Sequence, residues 1–520
     1  MTLQLHELDY YAIAAYFLVT IAIGAWATRA HSNADELFLA GRSLGPVAVG
    51  FSLFASNISS DTLIGLPGAA YSTGISAANY EWMASLVLVF SMFWVLPILM
   101  RARVTTMPEL MERRFDSRMR KYLSAITLFL SIVLDTAGTL YAGALVLTTL
   151  APGLSLSQTA LVLALFTAAY TAAGGLRAVV YTDVMQAVVL LFGAGLLAWT
   201  IFGQFDHSWA NVMARVPASH LSLIRPLDDP GVPWLGLITG LPIVGFYYWT
   251  MNQYIIQRVL GARDLPASSR GALFAAGLKL LPLFLMTLPG AMAIPLLPHL
   301  QHPDQVWPEL VVRYAPLGLA GLIIAGLLAA LMSTCSATLN SAATLLTVDF
   351  IEPRRPHLSQ RQLTTLGRLL TVAIALIAGI WAPQIQHFQG LWSYLQQVFA
   401  YVASPLVAMF IFGLASPRLG AMAAWRGLAS GHVASALLFI GARMGWVTIH
   451  FTVIGGVLFV ITLLFTWLWM RHLGETDRPA AQSPAGRLID RQGLASLPVD
   501  VRWGAGVVLI GIAALLWAFH

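Results

Sequence analysis

The chain has 520 residues, 58% of them apolar and only 10% charged, with a mean hydropathy of +0.75. A soluble globular chain carries about 25% charged residues, so this composition excludes a soluble enzyme, a disordered chain and a disulfide scaffold. The formal net charge of +6 would suggest a nucleic-acid partner in a soluble protein. Here the arginines sit in short loops between apolar runs, where they set topology instead.

The first nine residues carry two acids and no Lys or Arg. A signal peptide needs a basic start, so the first apolar run is expected to be a retained helix. Runs long enough to cross roughly 30 Å of hydrocarbon fall at 8–27, 44–70, 75–100, 122–150, 156–174, 179–203, 234–257, 271–297, 315–348, 369–384, 389–414, 420–442, 447–470 and 503–519. The fold class is therefore an all-α polytopic membrane protein with about fourteen transmembrane helices. With the N-terminus outside, the inside loops hold 24 of the 29 basic residues, the outside loops four, and Lys279 is left inside a span. Cytoplasmic loops are enriched in Lys and Arg, so both termini are expected outside. The longest loops, 204–233 outside and 471–502 inside, leave no room for a second soluble domain.

A phosphate-cradling glycine loop is absent, and so is a His/Cys cluster with metal spacing. No nucleophile–base constellation points to an enzyme. Uphill transport would have to draw on an ion gradient.

Ionisable groups inside spans are functional candidates by default. Asp61, Glu81, Asp135, Asp183, Lys279 and Asp349 qualify. For Asp61, Asp135 and Asp349 a buried structural pair and a functional role stay equally open. Glu81 and Lys279 are the deep acid and deep base of otherwise apolar helices, and pairing would relieve the desolvation of both. SLFASNISSDTLIG places Ser56, Asn57, Ser59, Ser60, Asp61 and Thr62 at mid-membrane depth. Short polar side chains compete for backbone bonds, so this span is expected to break, freeing carbonyls where transporters hold ions and substrate. MSTCSATLNS (332–341) supplies a hydroxyl ledge at Ser333, Thr334 and Ser336. Back-bonding to the preceding turn would use one or two of those hydroxyls; the others suit a hard cation such as Na⁺. Tyr247, Tyr248 and Trp249 share a span with Asn252 and Gln253. Aromatic faces stack on sugar C–H faces, and amides read hydroxyls.

These segments together resemble the sodium:solute symporter family, most closely its sodium/glucose cotransporter branch. FLAGRSLG (38–45), SLFASNISSDTLIGLPG (52–68), NYEWMAS (79–85), TDVMQ (182–186), YYWTMNQYIIQR (247–258), LKLLPLFLMTLPG (278–290), STCSATLNSAATLLTVD (333–349) and YLQQVFAYVASP (394–405) follow in family order. The resemblance implies a LeuT-type core of two inverted five-helix repeats, 44–203 and 234–414, joined by the extracellular loop 204–233. A peripheral helix and loop (1–43) would precede it, and peripheral helices with the cytoplasmic loop 471–502 would fill 415–520. It implies Na⁺ on the carbonyls of Ala55, Ile58 and Ala330 and the hydroxyls of Ser333 and Thr334. Asp183 and Ser336 would mark a second Na⁺ site or ion path; Ala337 lacks that site's second hydroxyl, so one Na⁺ per solute is expected. The sugar positions would be Asn57, Thr62, Glu81, Tyr248, Trp249, Lys279 and Gln396. Leu66, Tyr80 and Trp392 would form the outer gate, and Tyr248 the inner one.

Thr62, Gly245 and Ala84 depart from the family pattern, each by losing polar reach. The function implied is Na⁺-coupled symport of a glucose- or galactose-like sugar across the inner or plasma membrane. Symport of another neutral solute such as inositol, and a non-transporting sugar sensor, are the alternatives. The expected partners are Na⁺, a small sugar and the lipid bilayer, with no nucleic acid.

Overall fold

The computed structural model describes residues 7–27, 42–104, 106–150, 153–173, 176–316, 318–475 and 497–520. Among them there is no β-strand, only isolated bridges at Leu44–Ala262 and Arg225–Pro233. Nine helices are long and apolar enough to cross a membrane, and the bent pair Pro46–Asn57 and Ser60–Thr73 makes a tenth. The other four predicted spans coincide with Glu7–Ala27, Leu156–Ala173, Ala421–Arg443 and a chain of short helices from Trp234 to Leu260. Much of FLAGRSLG and most of the loop 471–502 fall outside the described residues.

Helix starts follow ordinary capping chemistry. The Asp116 carboxylate accepts from the Arg118 and Met119 N–H groups at 2.9 and 3.2 Å. Asp264 accepts from Ala267 N at 2.7 Å, with Pro266 in the first turn. Ser359 and Gln362 form a reciprocal capping box. Other caps cross between elements: Asp9, on the first peripheral helix, accepts from Gly321 N at 2.8 Å. This cap seats the N-terminal helix on the start of Leu319–Leu345. Only glycine fits at 321, because a Cβ would lie 2.3 Å from the Asp9 carbonyl oxygen.

Among the described residues, the span at the first position of each expected five-helix set is interrupted. In the first, Pro46–Asn57 and Ser60–Thr73 meet at 57° across extended backbone at Ser59. Thr62 Oγ1 donates to the Asn57 carbonyl at 2.8 Å, and Ser60 Oγ to Thr139 O at 3.2 Å, satisfying acceptors near the break. In the second, a π-helical turn at Tyr247–Met251 gives way to extended backbone at Asn252 before Gln253–Leu260 begins. The sequence reading treated 234–257 as one continuous span. The aromatic run conceals a break that the short polar side chains of the first span advertise.

Two arginines read as topology charges are structural. Arg258 is fully buried and donates to Ser52 Oγ at 2.8 Å, tying Gln253–Leu260 to Pro46–Asn57. Arg114 donates to the carbonyls of Gly413, Ser416 and Leu419 at 2.7, 2.8 and 3.0 Å. It thereby satisfies acceptors that the end of Leu391–Ala415 leaves over. Asp349 proves to be a structural pair, bonded to Arg120 at 2.6 Å and to Ser124.

At the opposite face, Asp304 joins three elements. Its carboxylate accepts from Leu391 N at 3.1 and 3.0 Å, capping Leu391–Ala415, and from Tyr141 OH at 3.3 Å. Burial pushes the Asp304 carboxyl up to about 6. Removing the side chain leaves the buried Leu391 N–H without a partner, which costs about 1–3 kcal/mol. Asp304→Ala should therefore lower the thermal midpoint of the detergent-solubilised protein more than Asp304→Asn. Because folding raises this pKa, the contribution is full below the unfolded value and is lost as pH rises through about 6. The wild type should lose stability relative to Asp304→Asn between about pH 4 and 6; parallel pH profiles would refute this.

Candidate functional site

The first helix break places the candidate ion ligands. Ala55 lies in the last turn of Pro46–Asn57, and Ile58 is the non-helical residue that ends it, with φ −79° and ψ 77°. A terminating helix leaves its last carbonyls without intrahelical partners. Leu319–Leu345, which carries Ala330, Ser333 and Thr334, packs against both halves of the broken span. All five residues are buried. The Thr334 hydroxyl has no hydrogen-bond partner, so it is not consumed by back-bonding to its own helix. Neutral oxygens of this kind suit a small hard cation.

Beside the break lies a cavity of about 60 Å³. Asn57, Thr62, Glu81, Tyr248, Trp249 and Gln396 line it, as do Tyr80 and Trp392. Of the residues expected to bind solute, only Lys279 stands behind the lining. Its ammonium pairs with Glu81 and lies 5.4 Å from the Trp249 ring centroid and 5.8 Å from that of Phe54. Lys279 thus holds the Glu81 carboxylate and one aromatic wall in place. Thr62 faces the cavity, but its hydroxyl is engaged across the break with Asn57 O. Gly245 and Ala84 also line the cavity. A Cβ at Gly245 would sit 3.2 Å from Met83 Cγ, so that wall has little room for a larger side chain.

Aromatic rings close the cavity on two sides. Tyr80 meets Trp392 edge-to-face at 5.6 Å, and the Tyr80 hydroxyl and Trp392 Nε1 have no partners. Leu66, expected at the same gate, is fully buried, and the adjacent Gly65 lets the helix approach the Trp392 backbone to within 3.2 Å of an added Cβ. On the other side, Tyr248 packs edge-to-face on Trp249 at 5.4 Å and on Phe399 at 6.0 Å. The Tyr248 hydroxyl bonds to Tyr254 OH at 2.5 Å, linking the inner ring layer to the helix beyond the second break. A cavity of about 60 Å³ is far below the roughly 300–1,000 Å³ of ordinary small-molecule pockets. A sugar-sized solute does not fit this volume, so part of the lining must move before one can enter.

The second ion path is only partly in view. Ser336 is buried on Leu319–Leu345. Asp183 lies on the helix Leu176–Gly203, and its side chain is outside the described residues. Asp61 and Asp135, left open by the sequence, both line the cavity. Asp135 projects from the π-helical turn Ser131–Thr136. The extra residue of such a turn reorients side chains, and helical turns of this type recur at functional sites.

The Glu81–Lys279 pair is buried on both sides. Removing one member of a buried pair leaves an uncompensated charge, at about 3–5 kcal/mol. Glu81→Ala should therefore lower the thermal midpoint sharply, and adding Lys279→Met should restore part of the loss. A double variant no more stable than Glu81→Ala would show that the pair does not hold this wall.

Comparison with known proteins places this arrangement. A family model described as "Sodium:solute symporter family" matches residues 37–431. Sodium/glucose cotransporter 2 of Rattus norvegicus is 35% identical over 474 residues, covering 81% of this chain and 70% of its own. Sodium/myo-inositol cotransporter 2 of Mus musculus is 35% identical over 462 residues, covering 81% and 68%. A solved Na⁺-coupled sialic acid symporter, in a substrate-bound outward-open state, superposes with a TM-score of 0.75 at 23% identity over 89% of this chain and 98% of its own. That likeness fixes the fold as the LeuT type. With the family model spanning residues 37–431, the chain belongs to the sodium:solute symporter family.

Proposed function

We propose that the chain is a secondary active transporter that couples entry of a glucose- or galactose-like sugar to Na⁺ by alternating access. The observation that carries this reading is the cavity at the helix break. Asn57, Glu81 and Gln396 supply polar atoms there, Tyr248 and Trp249 supply ring faces, and an aromatic layer closes each side. Na⁺ on Ala55, Ile58, Ala330, Ser333 and Thr334 bridges the broken span and Leu319–Leu345, so its binding biases how the two helices sit. Opening the Tyr80–Trp392 layer admits solute from outside, and opening the Tyr248 layer releases it inside. On this reading the repeats span 44–203 and 234–414, and both termini lie outside a cell membrane.

A cavity that reads hydroxyls does not by itself separate a pyranose from a cyclitol, and one relative is named for myo-inositol. Uptake of a panel of radiolabelled sugars and inositol by proteoliposomes, with and without Na⁺, decides between them. A sensor would accumulate nothing. One Na⁺ per solute is proposed. One charge falling through 100 mV contributes about 2.3 kcal/mol, and a tenfold Na⁺ gradient adds about 1.4 kcal/mol. Together they support accumulation on the order of 500-fold, which reversal potentials in the same vesicles check.

Ser333→Ala and Thr334→Ala should each weaken Na⁺ activation of uptake. Loss of one oxygen ligand costs about 1–3 kcal/mol, roughly five- to 150-fold in half-saturating Na⁺. Unchanged Na⁺ dependence in both variants would move the ion elsewhere.

Tyr248→Ala should abolish coupled uptake while the protein stays folded, because ring stacking and inner closure are lost together. Tyr248→Phe keeps the ring and loses only the bond to Tyr254 OH. It should retain uptake within a few-fold, the scale of one neutral hydrogen bond of about 0.5–1.5 kcal/mol. An inactive Phe variant would assign the essential role to the hydroxyl.

A further inference from the structure

Glu81 shares its charge with Lys279, but two more acids face the same cavity. Asp61 sits in the first turn of Ser60–Thr73, and Asp135 projects from the π-helical turn of the neighbouring span, only 5% exposed. Their charges act on one another. Asp61 Oδ1 and Asp135 Oδ2 are both buried and have no hydrogen-bond partner. The groups around them are mostly neutral. The N–H groups of Asp61 and Thr62 face the Asp61 carboxylate, Asn252 faces Asp135, and Tyr248 lies near both. Lys279, the buried ammonium that pairs with Glu81, does not line this cavity.

An ionised carboxylate is an acceptor only. Two such groups in one cavity, lined also by Leu241, Val244, Leu395 and Phe399, do not both stay ionised beside a neutral occupant: without a cation they take up protons. A sugar hydroxyl can donate to them but brings no charge. An ammonium brings three donors and one positive charge, enough to hold one of the two acids ionised while the other keeps its proton, and bonds between ionised partners are about twice as strong as neutral ones. Hydroxyls elsewhere on the same molecule would meet Asn57, Glu81 and Gln396.

Resting on the sugar-symport reading above, we infer that the preferred solute is a polyhydroxylated amine, a sugar or polyol whose protonated amino group is held by Asp61 and Asp135. The cavity selects for the cation through these two carboxylates and for the hydroxylated body through the Glu81 side.

The test uses the full chain in proteoliposomes with an inward Na⁺ gradient at about pH 6.5, where an amine of the α-amino class is protonated. The probes are glucosamine, glucose and N-acetylglucosamine, the last having the same ring and no charge. Half-saturation for glucosamine should lie at least about tenfold below that for glucose and for N-acetylglucosamine. Asp61→Asn and Asp135→Asn should each bring that ratio to within about threefold of one. A wild type that takes up glucose as well as or better than glucosamine overturns the inference and leaves sugar symport standing, whatever the variants do. A preference for glucosamine that survives both substitutions also overturns it. So does glucose-preferring uptake that alkalinises the medium, since protons would then neutralise the two acids. Absence of Na⁺-driven accumulation of all three probes would instead remove the sugar-symport reading itself.

Discussion

In hydrocarbon every backbone N–H and C=O must find a partner within the protein, so a helix can stop at mid-membrane only where something takes over its bonds. This constraint governs the break between Asn57 and Ser60. Thr62 Oγ1 donates to the Asn57 carbonyl, and Ser60 Oγ reaches Thr139 O on another span. Carbonyls of the same turn then remain for an ion. The polar run SNISSDT is required at this depth by the break it permits. The second interruption, at Asn252, uses a different device, a π-helical turn in which Asn252 N bonds to Tyr247 O at 2.9 Å.

The site between the two breaks is built around a buried charge. Lys279 has no exposed surface and would be untenable without Glu81. The pair pins Asn79–Ala102 against the end of Leu265–Leu278 and holds Trp249 beside the ammonium. Neighbouring contacts depend on the same close approach: Ser85 Oγ donates to Ala276 O at 2.8 Å on the same two helices. A polar wall is therefore rigid before any solute arrives, and little of the binding free energy is spent on ordering it.

Alternation needs the opposite property at the two ring layers. Edge-to-face aromatic pairs contribute about 0.5–1.5 kcal/mol each beyond their buried area, so either layer can part at modest cost. Outside the upper layer, Asp304 binds the start of Leu391–Ala415 to Tyr141, and Gly68 lets the first broken span lie against Pro303. Opening toward that side must separate or carry these elements together. The first broken span touches both layers and the candidate ion ligands, so in the function proposed above a cation at its midpoint would bias both layers through one helix.

The sequence alone determined the membrane class, the span positions and the first break, because hydropathy and short polar residues are local signals that a bilayer makes decisive. It also pointed to the Glu81–Lys279 pairing, since a deep base needs an acid and both residues sit in otherwise apolar helices. Family likeness named the ion and solute positions. Only the tertiary structure decided the rest. Whether Asp61, Asp135 and Asp349 pair structurally or face a cavity depends on the rotation of each helix against its neighbours. Asp349 met Arg120, and the other two met the cavity. Arg114 and Arg258 read as loop charges because positive residues near span ends ordinarily set topology, yet folding buried both against distant acceptors. Asp304 gave no local signal at all: an acid in a loop is unremarkable until the chain brings the start of a helix 87 residues away onto its oxygens. Contacts of that kind are fixed by packing across the whole bundle, which no window of sequence contains.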